Sequence, residues 1–131
     1  MIVVDASAVL ELLLQSPISA PIEERLLREH APIHAPALID LEVAHTLRRY
    51  VGRSEMTVDR ARASLDLLSE FPITRHLHEP LIQRIWELRE NLTAYDAAYV
   101  ALAEGMGATL ITCDARLANA PGIRATVEVF R

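Results

Sequence analysis

MIVVDASAVL, residues Met1 to Leu10, puts a carboxylate at Asp5 directly after an apolar run and directly before two small residues and a second apolar run. Burying an unpaired charge costs several kcal/mol, so a strand that ends on Asp5 needs a reason for the acid. The same pattern recurs in TLITCDARLA, where Thr109 to Thr112 is β-branched and apolar and Asp114 follows. Short apolar runs alternate with helical periodicity along the whole chain, the pattern of βαβ units around a largely parallel sheet.

The expected elements follow from local chemistry. Ile2 to Val4 reads as a strand, with Ser7 capping a helix that runs through Leu14. Pro21 suits the first turn of a second helix ending near Glu29. A strand at Pro32 to His34 leads through Pro36 into a helix from Leu38 to Val51, in which Ile39, Val43, Leu47 and Tyr50 share one stripe. Thr57 starts a helix to about Glu70, FPIT (71–74) reads as a strand, and Pro80 opens a helix to Leu88. Asn91 to Thr93 turn, Ala94 to Glu104 is helical, and the segment from Gly105 to Gly107 ends it. A short helix begins at Asp114, and TVEVF (126–130) closes as a last strand. No repeat, linker or low-complexity tract interrupts the chain, so residues 1–131 are expected to form one domain.

Composition narrows the class. A chain of 131 residues can bury roughly two thirds of the surface that its unfolded form exposes. Half of its residues are apolar but only 5% are aromatic, so Leu, Ile, Val and Ala must supply the core. The lone Cys113 cannot form an internal disulfide, and a reducing compartment is the expected setting. Asp5 and Glu11 interrupt the first apolar run, which argues against a secretory signal, and no run approaches the ~18 residues of a membrane span. The expectation is a cytoplasmic protein with no membrane partner. A net charge of −5 argues against charge-driven nucleic-acid binding in general, while leaving a nucleic-acid substrate open. All 13 basic residues are arginine, a side chain whose planar fork suits phosphate. Arg48, Arg49, Arg53, Arg60 and Arg62 cluster on what are otherwise solvated helix faces.

Four acids stand at element junctions. Asp5 and Asp114 end predicted strands, and in open α/β sheets the ligand crevice lies outside the carboxyl ends of the strands. Glu42 follows Ile39 by about one turn. Asp96 falls on nearly the same side of its helix as Val100 and Ala103, so its carboxylate is expected to look inward. Each acid also has a local use: Asp5 and Asp114 as helix caps, Asp96 within an approximate capping box begun by Thr93, Glu42 near a helix dipole. If the four converge, each close pair repels by roughly 4 kcal/mol at 4 Å and an effective dielectric near 20. Raised pKa values or a bound cation relieve that repulsion. Hard divalent cations such as Mg²⁺ or Mn²⁺ take oxygen ligands of this kind and also bind phosphate oxygens, so the chemistry indicated is metal-assisted phosphodiester hydrolysis.

In their order and separations MIVVDASAVL, the Glu42 segment, LTAYDAAYVALAE and TLITCDARLA resemble the PIN-domain family, and more narrowly the VapC-type ribonuclease toxins of VapBC toxin–antitoxin systems, from residue 1 to about 128. The resemblance implies a three-layer α/β/α sandwich on a mainly parallel sheet. It also implies metal-dependent cleavage of RNA, with Asp5, Glu42, Asp96 and Asp114 as the catalytic and metal-binding acids. It assigns Ser7 and Thr112 to positions whose hydroxyls orient the acids or the waters of a Mg²⁺ or Mn²⁺ ion. It further implies a homodimer and a VapB-type antitoxin that lies along the active-site groove, with residues 38–70 the expected surface for both. No fifth acid follows Asp114, where Arg116 and Asn119 stand, so a second metal site is in question.

Other readings keep a place. A strand ending in Asp also opens haloacid-dehalogenase-type phosphohydrolases, but their second acid would fall at Ser7. A PIN-like binding module without turnover would have no need of four clustered acids. Cys113 reads as a small buried residue rather than a catalytic thiol. His76 and His78 would share a strand face but lack further zinc ligands. Asp40 sits where it serves a helix dipole, and Trp86 and Tyr50 read as core or interface residues.

Overall fold

The computed structural model describes Met1 to Arg131. The strands are β1 (Ile2–Val4), β2 (Ile33–Pro36), β3 (Ile73–His76), β4 (Thr109–Thr112) and β5 (Thr126–Val129). The helices are α1 (Ala6–Leu14), α2 (Ser19–Glu29), α3 (Ile39–Gly52), α4 (Val58–Glu70), α5 (Ile82–Glu87), α6 (Ala94–Met106) and α7 (Ala115–Ala118), with a 3₁₀ turn at Glu79–Leu81. All five strands are parallel in the order β3-β2-β1-β4-β5, and helices flank the sheet as the expected α/β/α sandwich. The strand order reverses between β1 and β4, so the crevice where such sheets take ligands opens between the strands that end in Asp5 and Asp114.

Register explains what happens at that crevice. Ile2 pairs with Thr109, Val3 with Leu110 and Val4 with Ile111. One residue on, the N–H of Asp5 still donates to the carbonyl of Ile111 at 3.2 Å, which brings Asp5 level with Thr112. Ile2, Val3 and Val4 are fully buried. Their burial contributes roughly 5–8 kcal/mol in total, enough to carry an acid that is itself only 6% exposed.

Helix α6 crosses β1, β2 and β4, with α5 against it, while α1 gathers α2, α3 and α4. Every residue of α6 from Ala97 to Ala103 is buried, so this helix is apolar all round rather than amphipathic. It stops at Gly107, whose φ of 62° closes the helix in the left-handed region. Arg84 locks α5 to α6: its fork meets both carboxylate oxygens of Glu104 at 2.9 Å, and Nη2 also donates to the Gly122 carbonyl at 2.8 Å.

Several expected boundaries move. Asp5, not Ser7, caps α1: its carboxylate accepts the Ala8 N–H, and Ser7 lies inside the first turn. A side chain one turn into a helix points back along it, which frees the Ser7 hydroxyl for the acid itself. Strands β2 and β3 begin one and two residues later than their apolar runs suggest and extend further, because their ladders continue to Pro36 and His76. The single helix expected from Pro80 to Leu88 is a 3₁₀ turn followed by α5. No helix is long and apolar enough to cross a membrane.

Candidate active site

Asp5 is held on both oxygens. Oδ1 accepts from the Ser7 hydroxyl at 2.6 Å and the Ala8 N–H at 3.1 Å, and Oδ2 accepts from the Thr112 hydroxyl. The two hydroxyls are themselves fixed, since the Cys113 N–H donates to Ser7 Oγ and the Asp114 N–H to Thr112 Oγ1, each at 2.9 Å. Two lone pairs per oxygen leave Oδ1 filled and one position open on Oδ2. The hydroxyl at Ser7 thus serves Asp5 as a donor, where a phosphohydrolase of the alternative class would need an acid.

Glu42 reaches the same neighbourhood from α3. The buried Tyr99 of α6 donates its hydroxyl to Glu42 Oε1 at 2.6 Å, which leaves Oε2 unclaimed. Asp96 enters from the first turn of α6, where Thr93 caps the helix by accepting the Asp96 N–H at 3.1 Å. Asp114 caps α7 by accepting the Arg116 N–H at 2.9 Å. Arg116 also forks onto the Asp114 carboxylate, with Nε 3.1 Å from both oxygens and Nη2 2.6 Å from Oδ2.

These acids act on one another. Burial pushes Asp5 above the ordinary carboxylate range, against hydrogen bonds from Ser7, Thr112 and Ala8, and the Asp96 charge adds to the rise. Glu42 is raised by burial, held back by the Tyr99 bond, and raised again by Asp96 and Asp5. Asp96 is raised by burial and by Asp114, with Arg116 opposing. Asp114 alone is lowered, chiefly by its bond to Arg116. The phenol of Tyr99 is held far above its usual range by burial and by Glu42, so it remains a donor.

No three His, Cys, Asp or Glu side chains close into a ready-made metal cage. Asp114 is turned onto Arg116. The donor set nevertheless fits a hard divalent cation. All four groups offer oxygen, three are costly to ionise without positive charge nearby, and Asp5 and Glu42 each retain an unfilled oxygen position. Two clefts adjoin the acids. One of about 410 Å³ runs between α1 and α3 past Ser7, Glu42, His45 and Arg49. The other, of about 510 Å³, passes Asn91, Thr93, Asp96, Arg116 and Asn119. A roomier apolar cavity of about 650 Å³, between Leu12, Leu26, Ile33 and Phe71, touches none of the four acids.

The other candidates resolve into structural roles. His76 pairs with His34 at 2.9 Å, and His78, beyond the end of β3, accepts the Leu38 N–H at 3.0 Å, so the two do not stand on one strand face. Asp40 is bound by the Arg75 fork at 2.7 and 2.8 Å, so it does more than serve a dipole. Trp86 is exposed and stacked under Arg89, not core, and half-buried Tyr50 lines the cleft beside Glu42. Cys113 is half-buried rather than buried, and burial with the nearby acids Asp5 and Glu11 pushes its thiol up to about 11. Sequence reasoning missed Tyr99 and the Arg116 fork. Tyr99 lies three residues after Asp96, at helical spacing, but the uniformly apolar α6 offers no stripe to single it out.

Residues 2–123 match the PIN domain family. The chain is 45% identical over 130 residues to Ribonuclease VapC1 of Mycobacterium tuberculosis, covering 98% of this chain and 97% of that protein. Among solved structures it resembles VapBC2 of Rickettsia felis bound to a DNA fragment from its promoter, with a TM-score of 0.73 at 16% identity and all of both chains covered. It likewise resembles Mycobacterium tuberculosis VapC20, described as a toxin that cleaves the sarcin–ricin loop, with a TM-score of 0.70 at 18% identity over all of both chains.

Proposed function

The chain belongs to the PIN-domain family and, within it, to the VapC ribonucleases, and from that premise we propose that Asp5, Glu42, Asp96 and Asp114 hold a divalent cation, Mg²⁺ or Mn²⁺, in an endoribonuclease toxin. PIN-domain ribonucleases are generally divalent-metal dependent, and the observation that carries the assignment to these residues is the state of Asp5. It is 6% exposed, clasped by two buried or half-buried hydroxyls, and raised further by the charge of Asp96.

A bound divalent cation supplies positive charge to the scissile phosphate and acidifies a coordinated water. The chain's own groups orient and tune. Ser7 and Thr112 fix the plane of the Asp5 carboxylate between them and leave one acceptor position on Oδ2 without a protein donor. Tyr99 holds Glu42 by one oxygen and, by stabilising its ionised form, keeps it available as a ligand at lower pH. Asp96 joins from the start of α6, and Asp114 from the end of β4. Because burial raises the proton affinity of Asp5, Glu42 and Asp96, protons compete with the cation for these acids as pH falls.

Residues 1–131 act as one domain in this reading, with RNA as substrate and a VapB-type antitoxin as partner. An acidic crevice is suited to a basic residue of that antitoxin. Leu41, Val58 and Leu67, exposed between residues 38 and 70, support that region as a surface for the homodimer or the antitoxin.

Brief expression of wild-type and Asp96→Asn protein, followed by sequencing of cellular RNA 5′ ends, tests the function. New ends should arise with the wild type alone; the same ends from Asp96→Asn would overturn the assignment.

A further inference from the structure

The acid site carries a counter-ion of its own. Arg116 makes a fork of three contacts with Asp114 from only two residues away, and its charge also favours ionisation of Asp96. The Arg116 side chain is 82% exposed and that of Asp114 27%. An ion pair this open to water is weak, about 0–1 kcal/mol, so a doubly charged ion competes with it readily. The fork depends on side-chain torsions alone, because the backbone link between the two residues is already the cap of α7. Arg116 can therefore leave Asp114 without disturbing the helix.

Its destination is also defined. Arg116 lines the cleft of about 510 Å³ that it shares with Asp96, Thr93, Asn91 and Asn119. Asp96 is one wall of that cleft, so a nucleic-acid strand whose reacting phosphate lies on the acids would have room for an adjoining segment of backbone beside Arg116. Arg116 is the one cationic side chain of this cleft, in a chain whose net charge of −5 otherwise repels phosphate.

We propose that Arg116 is a built-in counter-ion of the acid site: it occupies Asp114 until a divalent cation takes that carboxylate, and it then clamps a neighbouring RNA phosphate in the adjoining cleft. The idea rests on the reading that these acids hold a cation. It makes metal binding and RNA binding cooperative through one side chain, since the ion that completes the site also frees the guanidinium for the substrate.

The test uses the full chain, stripped of metal, as wild type, Arg116→Gln, Arg116→Lys and Asp5→Asn. Mn²⁺ affinity is measured by titration calorimetry. RNA affinity is measured by anisotropy with a phosphorothioate-linked single-stranded RNA, which keeps the backbone charge and resists hydrolysis. Arg116→Gln should bind Mn²⁺ about twofold to fivefold more tightly than wild type. With Mn²⁺ present it should bind the RNA about tenfold more weakly, and without Mn²⁺ equally well. Arg116→Lys, which keeps the charge but not the fork, should fall between. Mn²⁺ affinity unchanged or weakened in Arg116→Gln, or RNA affinity unchanged in the presence of Mn²⁺, overturns the proposal. In either case the acid-site reading stands if the wild type takes up Mn²⁺ and Asp5→Asn does not; a wild type that takes up none ends both.

Discussion

Tyr99 on α6 donates its hydroxyl to Glu42 on α3 at 2.6 Å, across 57 positions of sequence. The bond ties a fully buried phenol to a half-buried carboxylate whose charge is already opposed by Asp96 and Asp5. Tyr99→Phe keeps the ring packing and removes only the donor. It should lower stability by about 1–2 kcal/mol, since an acceptor is left in a buried setting. It should also move the acidic limb of the pH–rate profile to higher pH, because the bond lowers the pKa of Glu42. Urea melts and the pH dependence of RNA cleavage check the two effects separately; an unmoved limb would mean that Glu42 does not control the rate.

Asp5, Glu42 and Asp96 all have folded-state pKa values above the usual range, with burial the leading cause in each. The sign follows directly: such groups contribute full stability below the unfolded carboxylate range near ~4, and that contribution is lost as pH rises through their folded values. His34, lowered by burial and by His76, works the other way from its unfolded value near ~6.5. The difference between wild type and Asp5→Asn isolates the acid. Metal-free Asp5→Asn should gain stability relative to wild type as pH rises above the unfolded carboxylate range near ~4. Millimolar Mn²⁺ should raise the melting temperature of wild type more at pH 8 than at pH 5, and that of Asp5→Asn little at either. Calorimetric melts across this range would show it.

Arg84 gives a prediction away from the site. Its fork on Glu104 and its bond to the Gly122 carbonyl join α5, α6 and the turn before β5, and Glu104 is only 11% exposed. Arg84→Ala leaves that carboxylate with the Arg124 N–H as its remaining partner. A loss of about 2–4 kcal/mol is expected in denaturant melts, with Mn²⁺ affinity unchanged at temperatures where the variant is folded.

Much of this molecule is legible locally. The strand–acid–helix junctions at Asp5 and Asp114 could be read because an apolar run, an acid and a small-residue helix start are neighbours in sequence. The caps at Thr57 and Thr93 were legible for the same reason. Ser7 was misread as a cap because sequence cannot tell Ncap from the first turn when both positions carry cap-forming residues. The extensions of β2 to Pro36 and β3 to His76 were missed because a ladder is set by the partner strand, not by the run itself.

What the sequence by itself determined is the supply of parts: alternating elements for a parallel sheet, four acids at their ends, an all-arginine set of cations, and enough apolar residues for one continuous core. Tertiary structure alone decided which part meets which. Thr112 clasps Asp5 across 107 positions because β1 and β4 pair in one register, and a slip of one residue would turn that hydroxyl to the other face. Tyr99 finds Glu42, and Arg75 finds Asp40, only once the crossovers have brought their elements together. Local propensity acts over a few residues, whereas the burial that raises Asp5, Glu42 and Asp96, and the neighbouring charges that add to it, exist only once distant segments have packed together.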